Sequence, residues 1–229
     1  MTDDVIQVAG LSKSYRTGDV PVPVLSDIEF KVPRGECLFL AGPSGSGKTT
    51  LLSILGCVLT ADSGSIRILG EDVTRYDSRE QARFRREKIG FVFQRFHLFD
   101  ALTAEENVRV PLTLLKRPPQ EAHERARELL TLLGLEDKGS RLATQLSMGQ
   151  RQRVAVARAL AGNPELILAD EPTASLDVES GLGAMKLLKD LCHSLGKTVI
   201  VVTHDSRIFP MADRILHLSN GKLRSHKAA

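Results

Sequence analysis

Eight residues, Gly42-Pro43-Ser44-Gly45-Ser46-Gly47-Lys48-Thr49, constrain this chain more than the rest of its length. They spell GxxxxGK[ST]. Residues 36–41, almost wholly apolar, precede them and predict a buried central strand. Residues 50–55 follow as an apolar helical stretch. A chain that wraps a phosphate closely has no room for side chains, and Gly42, Gly45 and Gly47 remove them. Successive backbone N–H groups then point inward, and a helix starting near Gly47 adds its positive end. Lys48 supplies a point charge for the β- and γ-phosphates, and the Thr49 hydroxyl is placed to ligate Mg²⁺. Pro43, Ser44, Ser46 and Thr50 complete the expected nucleotide cradle. A chance match in a chain this long is on the order of one in a hundred. The strand–loop–helix context lowers it further, so the reading is a triphosphate site.

A second acidic site is spelled by residues 166–171, an apolar strand ending in Asp170 and Glu171. Such a strand has no structural use for two acids at its end. Asp170 suits the metal side of a nucleotide site, and Glu171, one residue further, suits a base for the attacking water. The plainer alternative is a pair of helix-capping acids, since Pro172-Thr173 follows. His204 ends a third apolar run, residues 199–203. Ligands in open α/β sheets gather at the carboxyl ends of strands, and three such ends here lead into polar residues.

The remaining pattern supplies the frame. Residues 28–32 alternate, residues 65–72 read as a hairpin around Gly70, and residues 89–93 are strand-like. Helices are predicted over 79–88, 121–135 (stopped by Gly134), 150–161 and 179–194, with a buried strand at 198–202. Apolar strands alternating with helices imply parallel βαβ units. The expectation is one α/β nucleotide-binding domain over residues 1–229, with an N-terminal antiparallel β subdomain and a helical insertion near 95–145.

Leu146-Ser147-Met148-Gly149-Gln150 and the run 151–160 resemble the signature of ATP-binding cassette (ABC) ATPases. The motif order matches across nearly the whole chain: the glycine loop, Gln94 after Phe91-Val92-Phe93, the signature, Asp170-Glu171, Ser175-Leu176-Asp177, and His204. The resemblance implies a P-loop NTPase (RecA-like) core that hydrolyses ATP with Mg²⁺. It also implies a head-to-tail homodimer, and a separate integral-membrane permease. By that resemblance Tyr15 stacks on adenine and Gln94 senses Mg²⁺ and the γ-phosphate. Ser147, Gly149 and Gln150 offer a helix N-terminus to the opposite subunit's nucleotide. Asp177 communicates across the dimer. His204 contacts the γ-phosphate and works with Glu171 and Lys48 in catalysis. Thr49, Gln94 and Asp170 form the metal side. Met148 departs from the family, which usually has a second glycine there. We expect its side chain to point away from the nucleotide.

Several spellings resemble the ATPases of lipoprotein- or macrolide-export systems: residues 15–25, Ile54-Leu55-Gly56-Cys57, residues 102–108 and residues 167–173. Polar amino-acid importers share part of this pattern, including residues 96–99. The permease is expected to dock near residues 94–100, where Arg95-Phe96-His97-Leu98-Phe99 supplies apolar groups that either meet a partner or pack locally. A basic tail of Lys222, Arg224 and Lys227 is expected to be solvated. Composition weighs against an ABC-type ATPase acting on nucleic acid or ribosomes. The 229 residues carry a net charge of only +3, aromatics are 4%, and there is no Trp. Three cysteines without CxxC spacing argue against a disulfide framework or a zinc site. Residues 1–10 lack a basic-then-apolar leader pattern, and runs such as 198–203 fall short of a membrane span. The expectation is a cytoplasmic chain, peripheral on the inner face of the cell membrane through its permease.

Overall fold

The computed structural model describes residues 4–226. Strands β1 (Asp4–Thr17) and β2 (Val20–Pro33) form a long antiparallel hairpin, with Tyr15 opposite Val22. β4 (Ser63–Ile68) and the short β5 (Glu71–Asp72) extend it into a four-stranded sheet of order β2-β1-β4-β5. The turn between β4 and β5 uses Leu69 and Gly70, both at positive φ, as the Gly70 hairpin reading expected.

The second sheet runs β10-β9-β3-β8-β7-β6. Its members are β3 (Cys37–Ala41), β6 (Ile89–Val92), β7 (Leu166–Asp170), β8 (Thr198–Thr203), β9 (Arg214–Ser219) and β10 (Lys222–His226). All neighbours pair in parallel except the β9–β10 edge, which is antiparallel. Parallel strands covered on both faces need apolar side chains on both. In β3, β7 and β8 successive residues serve opposite cores. Leu38, Leu40, Leu166, Leu168, Ile200 and Val202 join one cluster with the antiparallel sheet and α1 (Lys48–Leu55). Cys37, Phe39, Ile167, Ala169, Val199 and Val201 join the other. That second core is closed by α3 (Ala104–Leu114), α4 (Pro119–Leu132), α5 (Met148–Ala161) and α6 (Val178–Ser194). Helix α2 (Ser78–Lys88) buries only Phe84. All three cysteines are free and buried. Among the described residues no helix is long and apolar enough to cross a membrane.

The structure refines the sequence expectations at several elements, helix α4 among them, which runs Pro119–Leu132 rather than 121–135. Helix α3 was not anticipated. Pro111 lies within it, yet Thr103 and Glu106 form a capping box that starts it firmly. Helix α5 begins at Met148, two residues before the expected start, because Ser147 is its N-cap and Gln150 closes the capping box. Lys222 and Arg224 lie in strand β10 rather than in a tail, and both are exposed, as expected of solvated residues. Lys227 lies outside the described residues. In the run at 95–99 the two open alternatives divide: Phe96 packs locally and is buried, while Phe99 is 53% exposed.

Candidate nucleotide site

Parallel strands put their carboxyl ends on one edge of the sheet, and that edge carries the site. Ala41 pairs with Thr203, Val202 with Asp170, and Ala169 with Val92. The loop after β3, the acids after β7, His204 after β8 and Gln94 after β6 therefore emerge side by side.

Each glycine of the loop solves a different problem. A Cβ on Gly42 would lie 2.1 Å from the Leu218 carbonyl oxygen, so Gly42 permits close packing on β9. Gly47, at φ 100°, caps α1, and a Cβ there would lie 2.9 Å from Leu25 Cδ2 and from the Val24 carbonyl oxygen. Gly45 sits at φ 77° with open space over it. That space is where a phosphate has room. Lys48 is buried, and its Nζ donates to the Gly42 and Pro43 carbonyls at 2.8 and 2.9 Å. The lysine folds back and holds the loop in shape, with its charge inside the concavity. Buried Ser46 Oγ has no hydrogen-bond partner. An unpaired buried hydroxyl is costly.

A cavity of about 570 Å³ opens over the loop. Its walls bring together Tyr15, Pro43, Ser44, Gly45, Gly47, Lys48, Thr49, Thr50, Gln94, Glu171 and His204, all anticipated from sequence, with Val24 in addition. Gly42, Ser46 and Asp170 are not among the lining residues. Gly42 is spent on packing. Asp170 is reached through Thr49, whose hydroxyl donates to Asp170 Oδ1 at 3.3 Å. Burial raises the Asp170 carboxyl above the usual carboxylate range. The Thr49 hydroxyl opposes that shift, Glu171 adds to it, and Lys48 opposes it. A cation beside this carboxylate would oppose the effect of burial and favour its charged form.

Glu171 follows at φ 45°, a left-handed conformation uncommon for a side-chain-bearing residue. Its N–H donates to the Val202 carbonyl at 2.9 Å, and its Oε1 lies 2.8 Å from His204 Nδ1. The carboxylate is mostly buried and the imidazole mostly exposed, with side-chain exposures of 13% and 65%. Neither acid caps a helix, so the alternative reading of a capping pair is discarded. Asp177 takes that part instead, accepting from the Ser180 N–H at 2.9 Å at the start of α6. That N–H holds the Asp177 carboxyl below the usual range.

The signature residues stand apart from the cavity. Ser147 Oγ accepts from the Gln150 N–H at 3.3 Å, and Gln150 Oε1 accepts from the Ser147 N–H at 2.9 Å. A Cβ on Gly149 would meet Ser180 alone within 4 Å, its Oγ at 3.6 Å and its Cβ at 3.8 Å. Met148 is 52% exposed on the first turn of α5. Within one chain these residues form a free, capped helix N-terminus beside the start of α6. Three further contacts were not readable from the sequence. Ser175 Oγ donates to the Gln94 carbonyl at 2.9 Å. Thr173 Oγ donates to Asp205 Oδ2 at 3.2 Å. Val24 joins the wall at the irregularity where the β1–β2 register shifts between Ser14↔Pro23 and Lys13↔Leu25, leaving Val24 without a ladder partner.

A glycine cradle between a buried parallel strand and a helix, with its lysine turned inward and acids on the next strand ends, defines a P-loop nucleotide-binding protein. The family model described as "ABC transporter" matches residues 25–174. The chain belongs to the ABC transporter family. It is 44% identical over 225 residues to the macrolide export ATP-binding/permease protein MacB of Agrobacterium fabrum, covering 98% of this chain and 35% of that protein. It therefore spans about a third of the length of the MacB relatives it matches. It is 43% identical over 229 residues to the lipoprotein-releasing system ATP-binding protein LolD of Shewanella oneidensis, covering 100% of both. The dimeric, post-hydrolysis structure of the cassette MJ0796 bound to ADP and Pi matches with a TM-score of 0.89 and 41% identity, covering 97% of this chain and 98% of that one.

Proposed function

We propose that this chain is the ATP-hydrolysing part of an ABC transporter, and that it drives a membrane permease of the lipoprotein- or macrolide-export type. The observation that carries the reading is the Glu171–His204 pair, 2.8 Å apart, on the wall of the cavity that also holds Lys48. In this reading the nucleotide's phosphates lie over Gly45 and Gly47 against loop N–H groups, with Lys48 beside them and the base at Tyr15. Glu171 takes a proton from the attacking water, and His204 orients that carboxylate and faces the terminal phosphate. Thr49, Asp170 and Gln94 offer only hard oxygen donors, the set Mg²⁺ takes when it completes its shell with phosphate and water. When bound, the ion neutralises charge on the phosphate oxygens.

Two copies close head to tail, so that the α5 N-terminus of one, with Ser147 and Gly149, meets the nucleotide of the other. The dimeric cassette structure and the separation of these residues from the chain's own cavity support this arrangement. We assign residues 1–229 to one nucleotide-binding domain with its helical insertion at 95–145. The permease docks against an apolar groove of about 340 Å³ bordered by Phe91, Phe93, Phe99, Pro111 and Leu114, a few residues from Gln94. Through that permease the chain is peripheral on the cytoplasmic face of the membrane. The printed functions of MacB and LolD favour export over import. The test is turnover by the purified chain with Mg²⁺ and ATP. Phosphate release should vanish with EDTA and fall at least 100-fold in Lys48→Ala. Turnover unaffected by Lys48→Ala would overturn the reading.

A further inference from the structure

The pair Glu171–His204 spans two loops, the His204 N–H also donates to Glu171 Oε2 at 3.4 Å, and a further side-chain bond, away from the pair itself, ties the same two loops together. Thr173 is buried, and its hydroxyl donates to Asp205 Oδ2 at 3.2 Å. Asp205 directly follows His204, and Thr173 lies two residues after Glu171. Asp205 is itself fixed from three sides. Its N–H donates to Thr203 Oγ at 2.9 Å, and its Oδ1 accepts from the Arg207 N–H at 3.1 Å. The Arg207 guanidinium grips both oxygens at 2.7 and 2.8 Å. Thr203 is fully buried at the end of β8. The reactive bond is therefore a short rung beside a second rung whose far end is anchored in the sheet.

The imidazole is mostly exposed, and the contacts that hold it run to one side chain, Glu171, so its position follows the spacing of the two loops. Surface side chains change rotamer freely, and a small displacement of a positioned catalytic group costs rate steeply. We propose that Thr173 and Asp205 form a strap that holds the His204 loop at the correct distance from Glu171, and that both are positioning residues for ATP hydrolysis. The proposal rests on the assignment of Glu171 and His204 given above. Capping by Asp205 of the short turn Ser206–Met211 is a separate task, and it uses Oδ1 rather than the oxygen that Thr173 reaches.

The difference makes Thr173 the residue to change. Thr173→Val keeps the shape and leaves the Asp205–Arg207 pair and the cap intact. Thr173→Ser keeps the hydroxyl. The full chain carries isotopically labelled histidine, and the His204 ring resonance is assigned by its loss in His204→Ala. For Thr173→Val we expect kcat to fall about tenfold, KM for ATP to stay within twofold, and the His204 resonance to shift and broaden. Thr173→Ser should restore both rate and resonance. If the valine chain does not fold, Thr173→Ala deletes the same hydroxyl and is read in the same way. A hydroxyl-free variant with wild-type kcat, a lowered kcat with an unmoved His204 resonance, or a serine variant as slow as valine would each overturn the strap. A wild-type chain without turnover would instead defeat the assigned activity, and the resonance would still judge the strap.

Discussion

Gly45 and Gly47 are two residues apart in the loop, and substituting each by alanine separates loop packing from ligand room. At Gly47 the backbone sits at φ 100°, and a Cβ would lie 2.9 Å from a Leu25 methyl and from a backbone carbonyl. Strain at such a φ costs about 1–3 kcal/mol, and overpacking a close contact adds about 1–3 kcal/mol. Alanine also stiffens the unfolded chain, which returns about 0.4–1 kcal/mol. The net loss for Gly47→Ala is about 3 kcal/mol, a drop in Tm of about 6–12 °C at roughly 2–4 °C per kcal/mol in a chain of this size. At Gly45 the φ of 77° is milder, and nothing lies within 4 Å of the added methyl. Strain near 1 kcal/mol is then largely offset by the unfolded-state gain, so Tm moves by no more than about 2–4 °C. In the proposed reading the phosphate lies over Gly45. A methyl there displaces ligand, and ATP affinity falls about 100-fold, or roughly 2.7 kcal/mol. Thermal melting of the ligand-free chains and calorimetric titration with ATP read the two effects. Equal Tm losses in both variants, together with full ATP affinity in Gly45→Ala, would refute the assignment of that space to phosphate.

Met148→Gly should leave ATP turnover within threefold, because the methionine is exposed on the first helical turn, and melting should reveal a helix weakened by about 0.5–1 kcal/mol. An inactive wild type revived by glycine would contradict that placement. Asp170 titrates above its ordinary value chiefly because it is buried, so the folded chain holds its proton more tightly than the unfolded chain does. That contribution to stability is present below the unfolded carboxylate value and is lost as pH rises through the raised one. Asp170→Asn should therefore raise the Tm of the ligand-free chain at pH 7 while abolishing turnover, and a lowered Tm would count against the cause given. Phe99→Asp should leave the ATPase activity of the free chain within twofold and weaken co-purification with its permease at least tenfold, provided the groove at 91–114 is the docking surface.

The legible part of this molecule is the part in which one short stretch carries its own physics. The glycine loop demands a cradle, the runs at 36–41, 166–169 and 198–202 are apolar because both sheet faces are covered, and Gly134 ends α4 at positive φ. The parallel edge then assembles the cavity from residues that are distant in sequence. What could not be read depended on pairing or on two-way capping. Strand β10 looks like a polar tail until β9 supplies its ladder. Helix α3 contains Pro111, which argues against a helix, yet the Thr103–Glu106 box was a sequence signal in its favour. The Phe96 side chain is buried on a positive-φ backbone whose carbonyl accepts from Arg158 at 2.6 Å, a contact with no local signature. The Thr173–Asp205 bond likewise joins the ends of two strands and exists only once they are neighbours.

Glu171→Gln tests the central claim most directly. The amide keeps the side chain's shape and removes its ability to accept the water's proton. Gel filtration with ATP and Mg²⁺, followed by analysis of the bound nucleotide, should yield a dimer that retains uncleaved ATP, with turnover reduced at least 100-fold, the lower bound for losing a general base. A variant that hydrolyses ATP at the wild-type rate, or one that binds ATP and stays monomeric, would contradict the account.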